Sequence, residues 1–230
     1  MRLSKIILLT ISLLTLTTLT AQRKKKGNDF KNEMTNHYQK YYKLMLENGN
    51  VTGAIESLNH LLILTPSVGK KDTLAALYMQ NKKPFLAIKT AGNSKTALAL
   101  RAKASAFKSL KNLKKAIENY ELLIAQTKSV LDVYELAQLQ FGMQRFAEAK
   151  ESVNFGIKNA KNETVRIFIK AENYIETPIT AALYNILGLI EYNLNKNDIK
   201  KAISYFDDAL KIDPNFVLAL ENKKAILTKK

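Results

Sequence analysis

The sequence predicts an all-α protein, a right-handed superhelical solenoid of about five helix–turn–helix units with a C-terminal capping helix. An alanine recurs early in an amphipathic helical segment, at intervals of 33, 29, 33 and 53 residues. Each of these segments follows another segment with apolar residues at helical spacing. Repeats of this length are typical of stacked helical units, which bury their apolar faces only against neighbours. The recurring residues are Ala54, Ala87, Ala116, Ala149 and Ala202.

A small residue also recurs in the upstream helix of four of the five pairs. A large side chain where two paired helices cross would force them apart, and a small one lets the backbones approach closely. We therefore expect each unit to be held by a crossing of small residues. The upstream positions are Tyr42, Ala75, Ala104, Ala137 and Gly188, of which only the first is large.

Prolines and polar residues mark the helix ends. Pro66 and Pro214 each follow an alanine-bearing helix, and proline disfavours helical backbone in the residue before it. Short polar stretches between paired helices are typical of turns. These turns are expected at 48–50, 111–112, 144 and 193–198, and the segment 216–230 is expected to form the capping helix.

Two segments resemble the tetratricopeptide repeat family. One is LGLIEYNLN followed by KKAISYFDDALKIDPN, which matches nearly a whole repeat, and the other is GAIESLNHLLILTP, which matches a second half-repeat. The resemblance extends over residues 34–230, although the unit around Ala87 is short because Gly92 interrupts its second helix. It implies an all-α solenoid that binds a protein or peptide along a groove lined by the first helix of each unit.

The chain begins with the features of a secretory signal peptide over residues 1–21. Arg2 and Lys5 precede an apolar run over Ile6–Leu19, and Ala21 provides a small residue for cleavage before Gln22. The run of 14 residues is shorter than the ~20 that a membrane-spanning helix needs. We therefore expect cleavage, the alternative being an uncleaved N-terminal anchor.

A basic run, Arg23–Lys26, follows the predicted cleavage point, and residues 22–33 are expected to form a basic flexible linker. The alternative for this run is a weak contact with an anionic lipid or glycan. The chain has no cysteine, so it has neither disulfides nor a lipid on an N-terminal cysteine. These features predict a periplasmic or secreted protein without an integral membrane span after cleavage.

The net charge of +16 restricts the class of partner. Removing residues 1–21 leaves 34 Lys and Arg against 20 Asp and Glu, a net charge of +14. A basic chain first suggests nucleic acid, but export and the lack of a recognisable nucleic-acid motif argue against it. We expect a protein or peptide ligand, and the positive charge favours an acidic one. The alternatives are an anionic cell-wall polymer or lipopolysaccharide, or no functional meaning of the charge.

The sequence contains no arrangement typical of catalysis. His37 and His60 stand 23 residues apart, and neither a zinc-binding HExxH motif nor a glycine-rich phosphate loop occurs. A metal-free enzyme would still need a base and a nucleophile in reach of each other. We predict no enzyme activity, no catalytic residue, no cofactor and no metal.

The outward positions of the first helices define a candidate partner-binding groove. Its early part is basic and polar, whereas its later part is aromatic and rich in amides, a combination that suits an extended or helical peptide with acidic and apolar anchors. Some proteins of the family clamp a C-terminal carboxylate with Lys-xxx-Asn and Lys-xxx-Arg pairs, which this chain lacks. The alternative is that these residues only contact neighbouring units. The candidate residues are Gln39, Lys43, Arg101, Ser105, Lys108, Tyr134, Gln138, Phe141, Asn185, Leu189 and Tyr192.

The long interval before Ala202 contains an insertion over residues 159–178, with the sequence NAKNETVRIFIKAENYIETP. Its apolar residues fit a helix that lengthens the preceding one, followed by a loop ending at Pro178, and this is the interpretation we favour. Residues 164–170 also alternate as a strand does. The insertion is either a partner-binding element or a spacer.

These observations favour an exported interaction module or scaffold of the tetratricopeptide type that binds another envelope or secreted protein. The alternative is that the basic tail and the first repeats bind an anionic glycan or lipid surface. An enzyme is the third and least favoured class.

Overall fold

The computed structural model describes residues 27–168 and 173–228, which form eleven helices and two strands. The predicted signal peptide 1–21 and the basic run Arg23–Lys26 lie outside the described residues. The helices are α1 (27–47), α2 (Val51–Leu64), α3 (Val68–Gln80), α4 (Pro84–Ala91), α5 (Ala97–Ser109), α6 (Leu113–Thr127), α7 (Val130–Gly142), α8 (Phe146–Asn159), α9 (Ile179–Leu194), α10 (Lys200–Ile212) and α11 (Val217–Leu227); the strands are β1 (Thr164–Phe168) and β2 (Tyr174–Pro178).

The chain divides into two compact units at Gly92. The N-terminal unit contains α1–α4, and the C-terminal unit contains all later elements. The sequence predicted one repeat domain over residues 34–230, and this stays a prediction. Residues 27–33, expected in a flexible linker, instead belong to α1.

The predicted pairing of helices is present within each unit. In the N-terminal unit α3 packs on α4, and in the C-terminal unit α5 packs on α6, α7 on α8 and α9 on α10. The small residues are buried where the helices meet, as the spacing predicted. Eight of the alanines are completely buried, at 0% exposure: Ala54, Ala75, Ala87, Ala104, Ala116, Ala137, Ala149 and Ala202.

Four of the turns between helices have a residue with left-handed backbone conformation at the equivalent position. Each such residue stands five positions before a recurring alanine. After α5, the N–H of Lys111 bonds the carbonyl of Lys108, and the N–H of Asn112 bonds the carbonyl of Phe107. This is the pattern of a Schellman C-cap, which satisfies the last carbonyls of the helix. The four residues and their φ angles are Gly49 (67°), Lys82 (53°), Lys111 (60°) and Gln144 (58°).

Glycine at one of these turn positions should stabilise the protein. Replacing Gln144, whose φ is 58°, by glycine is expected to raise the free energy of unfolding by about 0.5–1 kcal/mol, because a left-handed backbone is unfavourable for a residue with a Cβ. Urea denaturation followed by circular dichroism measures the change. Met143→Gly is the matched control: its φ is −90°, so it should lower stability. Equal losses in both variants would contradict the assigned turn.

The insertion forms a hairpin, and the prediction that it lengthens α8 as a helix is wrong. β1 and β2 pair antiparallel, with Arg166 opposite Glu176. The alternating pattern noted in the sequence is the one that forms: Val165 and Ile167 are half-buried and pack against the core, while Arg166 is exposed. β-branched residues at alternate positions suit a strand with one buried face.

The C-terminal capping helix is present as α11. Phe216, immediately before it, and Ala219 within it are fully buried in the largest core cluster of the C-terminal unit. Ile226, near its end, joins a second cluster with Phe206 of α10. The helix therefore covers the apolar surface of the last repeat.

Candidate functional site

A groove of about 600 Å³ lies in the C-terminal unit, between the helices α5 and α7 and the strand β1. It brings together four of the predicted groove residues, all from the first helices of two consecutive repeats. The groove also contains residues that the sequence did not indicate, including one from the hairpin. The predicted residues are Arg101, Ser105, Lys108 and Tyr134, and the additional ones include Lys111 and Val165.

The two predicted cations of α5 are paired with acidic residues of α7. The guanidinium of Arg101 donates two hydrogen bonds to Asp132, from Nε to Oδ1 at 3.0 Å and from Nη2 to Oδ2 at 2.6 Å. The Asp132 side chain is only 8% exposed, and its hydrogen bonds raise the pKa of Arg101. The Lys108 ammonium forms a single contact with the carboxylate of Glu135, and both of these side chains are partly exposed. The two cations that make this part of the groove basic are therefore both held in ion pairs with α7.

Two buried tyrosine hydroxyls of the groove are protonated across the physiological pH range. Burial, together with the nearby Glu135 carboxylate, raises the pKa of Tyr120 and of Tyr134 to about 12. The Tyr120 hydroxyl bonds Ser105, and the Tyr134 hydroxyl bonds Gln138. The groove thus offers neutral hydroxyl groups beside its ion pairs.

The raised tyrosine pKa values predict a loss of stability at alkaline pH. Because the pKa of Tyr120 and Tyr134 is about 12 in the folded protein, the unfolded chain loses these protons first as the pH passes ~10. Stability is then fully present below pH ~10 and falls above it, by about 1 kcal/mol per tyrosine at pH ~11. Urea denaturation between pH ~9 and ~11 measures the slope. Tyr120→Phe should flatten it, whereas an equally steep slope in this variant would contradict the prediction.

Lys111 keeps an unpaired charge in the groove. It is the left-handed residue of the turn after α5, it is exposed, and it lines the groove beside Lys108. Within the described part of the chain no acidic group forms a salt bridge with it. The sequence assigned Lys111 to a turn but not to the groove, because the position of a turn relative to the neighbouring repeat is a property of the stack.

The later predicted residues pack within the protein. Phe141 lies 5.6 Å from Phe146, ring centre to ring centre, and joins the core of the C-terminal unit. In α9, Asn185 accepts a hydrogen bond of 2.9 Å from the side chain of Asn222 in α11. Leu189 and Tyr192 pack against the cluster of α10 and α11 that contains Phe206 and Ile226. The α9 residues predicted for the groove therefore contact the capping helix, because that helix occupies the place of a further repeat.

The first two predicted groove residues, Gln39 and Lys43, lie in the N-terminal unit on α1. Both are exposed, and the Lys43 ammonium is 3.8 Å from the carboxylate of Glu47 one turn later. An exposed pair of this kind contributes little to stability. Their role in partner binding stays a prediction.

The two histidines pack against aromatic neighbours. His60 stacks on Tyr38 at 4.3 Å between ring centres, and His37 meets the edge of the same tyrosine at 5.2 Å. Among the described residues no group of three or more His, Cys, Asp or Glu is arranged to hold a metal ion. None of the described helices is both long enough and apolar enough to cross a bilayer.

The comparisons with known proteins agree with this architecture. A tetratricopeptide repeat model matches residues 181–216. MamA, 21% identical, aligns with a TM-score of 0.62 over 80% of this chain and 93% of its own. YrrB, a tetratricopeptide repeat protein with an unusual peptide-binding site, is 15% identical and aligns with a TM-score of 0.63 over 81% of this chain and 90% of its own.

A tetratricopeptide repeat protein from Parabacteroides merdae ATCC 43184 is 15% identical and aligns with a TM-score of 0.64 over 84% of this chain and 72% of its own. None of the curated proteins matches the chain. The chain therefore carries a tetratricopeptide repeat and has the tetratricopeptide repeat fold, a helical solenoid. Proteins of this kind generally act as non-enzymatic scaffolds that bind peptides or proteins.

Proposed function

We propose that this chain is a scaffold that binds an extended segment of another protein in the groove between α5, α7 and β1. The observation that carries the proposal is the groove itself, about 600 Å³ in volume, a size that suits part of a peptide. YrrB is described as having an unusual peptide-binding site, and we propose that this chain, with the same fold, also binds peptide.

The groove chemistry supports a polypeptide as the ligand. The half-buried Ser105 hydroxyl, which bonds the buried Tyr120, can still accept a hydrogen bond from a peptide N–H. The half-buried Val165 offers contact to an apolar side chain. The unpaired Lys111 favours an acidic residue at the end of the groove near the α5–α6 turn. We therefore propose an acidic segment with at least one apolar anchor.

We further propose that the protein acts outside the cytoplasm, in the periplasm or after secretion, on another envelope or secreted protein. The support is the signal-peptide pattern of residues 1–21. N-terminal sequencing of the exported protein tests cleavage after Ala21. A chain that retains residues 1–21 in the membrane fraction would overturn this part of the proposal.

Reversing the charge of Lys111 tests the groove. Cross-linking in the native cell followed by mass spectrometry identifies a partner, and surface plasmon resonance then measures its binding. Lys111→Glu is expected to slow association on the order of threefold and to change its salt dependence, because a charge at the rim of a site steers encounter. Lys114→Glu is the matched control, since Lys114 is also exposed but does not line the groove.

The two variants have the same net charge, so a difference between them reports the position of the charge. If both bind the partner as the unmodified protein does, the groove is not the binding site. If both slow association equally, the partner senses only the overall positive charge of the chain.

A further inference from the structure

We propose that the free edge of β1 pairs with an extended segment of the bound partner, which enters the groove as a third strand of the hairpin sheet. The inference rests on the proposed function and adds to it the way the backbone of the partner is recognised. It also assigns the insertion a binding role.

The register of the hairpin defines which backbone groups of β1 are available to pair with another strand. The N–H of Ile179 bonds the carbonyl of Glu163 at 2.9 Å, and these two residues continue the register of the strands. Hydrogen-bonded and non-hydrogen-bonded pairs alternate along an antiparallel ladder. The N–H and C=O groups that point away from β2 are therefore those of Thr164, Arg166 and Phe168.

These edge groups have no partner in the described part of the chain. The backbone hydrogen bonds outside regular elements include none from Thr164, Arg166 or Phe168. A strand edge with unpaired groups is a template for another strand. The edge extends over the five residues of β1, enough for a partner strand of similar length to pair along it.

The two edges of the hairpin differ in their surroundings. The edge of β2 contains Pro178, which has no N–H, and the hydroxyl of Thr177 in β2 bonds Asp213 after α10. Proline on an edge strand prevents pairing with another chain. The side chain of Val165 in β1, in contrast, lines the groove with the residues of α5 and α7. The unprotected edge therefore belongs to the strand that borders the groove.

The side chains of β1 define the chemistry of the matching strand. Val165 and Ile167 lie on the half-buried face, and Arg166 between them is exposed on the other face. The Arg166 guanidinium bonds Glu176 at 2.9 Å and lies 4.8 Å from the ring centre of Tyr174, so its position is held by β2. Directly opposite residues of paired strands contact each other. The best partner strand thus has an acidic residue opposite Arg166 and apolar residues on either side.

A second copy of the chain fits this edge less well. Arg166 is the central residue of β1, so a symmetric antiparallel pairing of two copies would place the two Arg166 side chains opposite each other. Like charges directly opposite are destabilising, and each chain carries a net charge of +16. An acidic segment of another protein has the complementary charge.

Amide hydrogen exchange measured by NMR on the full chain tests the pairing. The probe is the capped peptide Ser-Thr-Val-Glu-Val-Thr-Ser at saturating concentration. We expect the amides of Thr164, Arg166 and Phe168 to become protected, while those of Val165 and Ile167, already bonded to β2, do not change. If the peptide only stabilised the fold in general, protection would not alternate along β1 in this way.

Charge-reversal substitutions in the peptide and at Arg166 test the cross-strand contact. The unmodified chain should prefer this peptide over the version with lysine in place of its glutamate, and Arg166→Glu should reverse the preference, each by about two- to fivefold. Lys158→Glu is the matched control, because Lys158 is an exposed residue of α8 outside the hairpin. An unchanged preference in Arg166→Glu would overturn the assigned contact.

Three results would overturn the proposal. If the peptide shifts the amide signals of Ser105 and Lys111 without alternating protection of β1, the groove binds peptide but the edge does not. If no signal of the groove or of β1 responds at saturation, the proposed groove function fails as well. If the three edge amides are protected without peptide and sedimentation shows a dimer, the edge pairs with a second copy.

Discussion

Replacing Arg101 by alanine is expected to lower the free energy of unfolding by about 3 kcal/mol. The variant leaves the carboxylate of Asp132, whose side chain is 8% exposed, without the guanidinium that bonds both of its oxygens. An unpaired charge in a buried position costs far more than the loss of a surface contact. Urea denaturation followed by circular dichroism measures the change.

A double-mutant cycle separates the pair from the general loss of a side chain. Because the charge and its partner disappear together, Arg101→Ala combined with Asp132→Ala should cost less than the sum of the two single variants. Lys111→Ala is the exposed control and should change stability by less than ~0.5 kcal/mol. If Arg101→Ala costs no more than Lys111→Ala, the ion pair does not support the fold.

This expectation changes how Arg101 variants are interpreted in binding experiments. The sequence placed Arg101 in the candidate groove, and the structure shows that it also links α5 to α7. A loss of binding in an Arg101 variant is therefore expected to report damage to the groove wall. Lys111 is the better probe of charge, since it is exposed and outside any ion pair of the described residues.

Replacing Gly188 by valine should lower the free energy of unfolding by about 3 kcal/mol. A Cβ at this position of α9 would lie 2.6–2.8 Å from three ring atoms of Phe206, a distance that no unstrained contact allows. Phe206 is 0% exposed, so its ring cannot turn out into solvent without displacing the residues that cover it. Overpacking of this kind typically costs about 1–3 kcal/mol, and the two further methyl groups of valine add to it.

A matched control and a rescue identify the cause of this loss. Gly142, the last residue of α7, has nothing within 4 Å of an added Cβ, so Gly142→Val is expected to change stability by less than ~0.5 kcal/mol. Adding Phe206→Ala to Gly188→Val removes the obstructing ring, so the combination should cost less than the sum of the single variants. Simple additivity would show that the two residues do not meet.

The sequence predicted the local features of the fold well, because they depend on short-range rules. The recurring alanines such as Ala116, the turn at Gln144 and the helix end before Pro214 follow from helix periodicity, crossing distance and proline geometry. The structure confirms them in the burial of the alanine, the left-handed turn and the end of α10 at Ile212.

The hairpin was predicted less well, because its pairing is not local. Residues 164–168 and 174–178 have strand-like alternation, but short apolar segments also fit a helix. The choice depends on whether Val165 and Ile175 reach an apolar surface, and here the core around α9 provides it. The similar alternation of the two segments, separated by five residues, was the available indication of a hairpin.

The charges and contacts of the groove depended on residues about one repeat away. Asp132 stands 31 positions after Arg101, and Glu135 stands 27 positions after Lys108. An acidic residue about one repeat after each cation was thus a detectable indication of ion pairs between neighbouring helices. The bond from Asn222 to Asn185 had no such indication, since a capping helix does not follow the repeat register.

The turn after α5 has a less stable backbone than glycine would give it, and it places the Lys111 ammonium at the groove. Glycine is the residue that best tolerates the left-handed backbone at this position, and the equivalent turn after α1 has Gly49. Lys111 occupies it with a φ of 60° and presents its ammonium to the groove. Glycine would make this turn more stable but would remove the ammonium from the groove. A thermostabilised version of this protein should therefore change Lys82 and Gln144 and leave Lys111 in place.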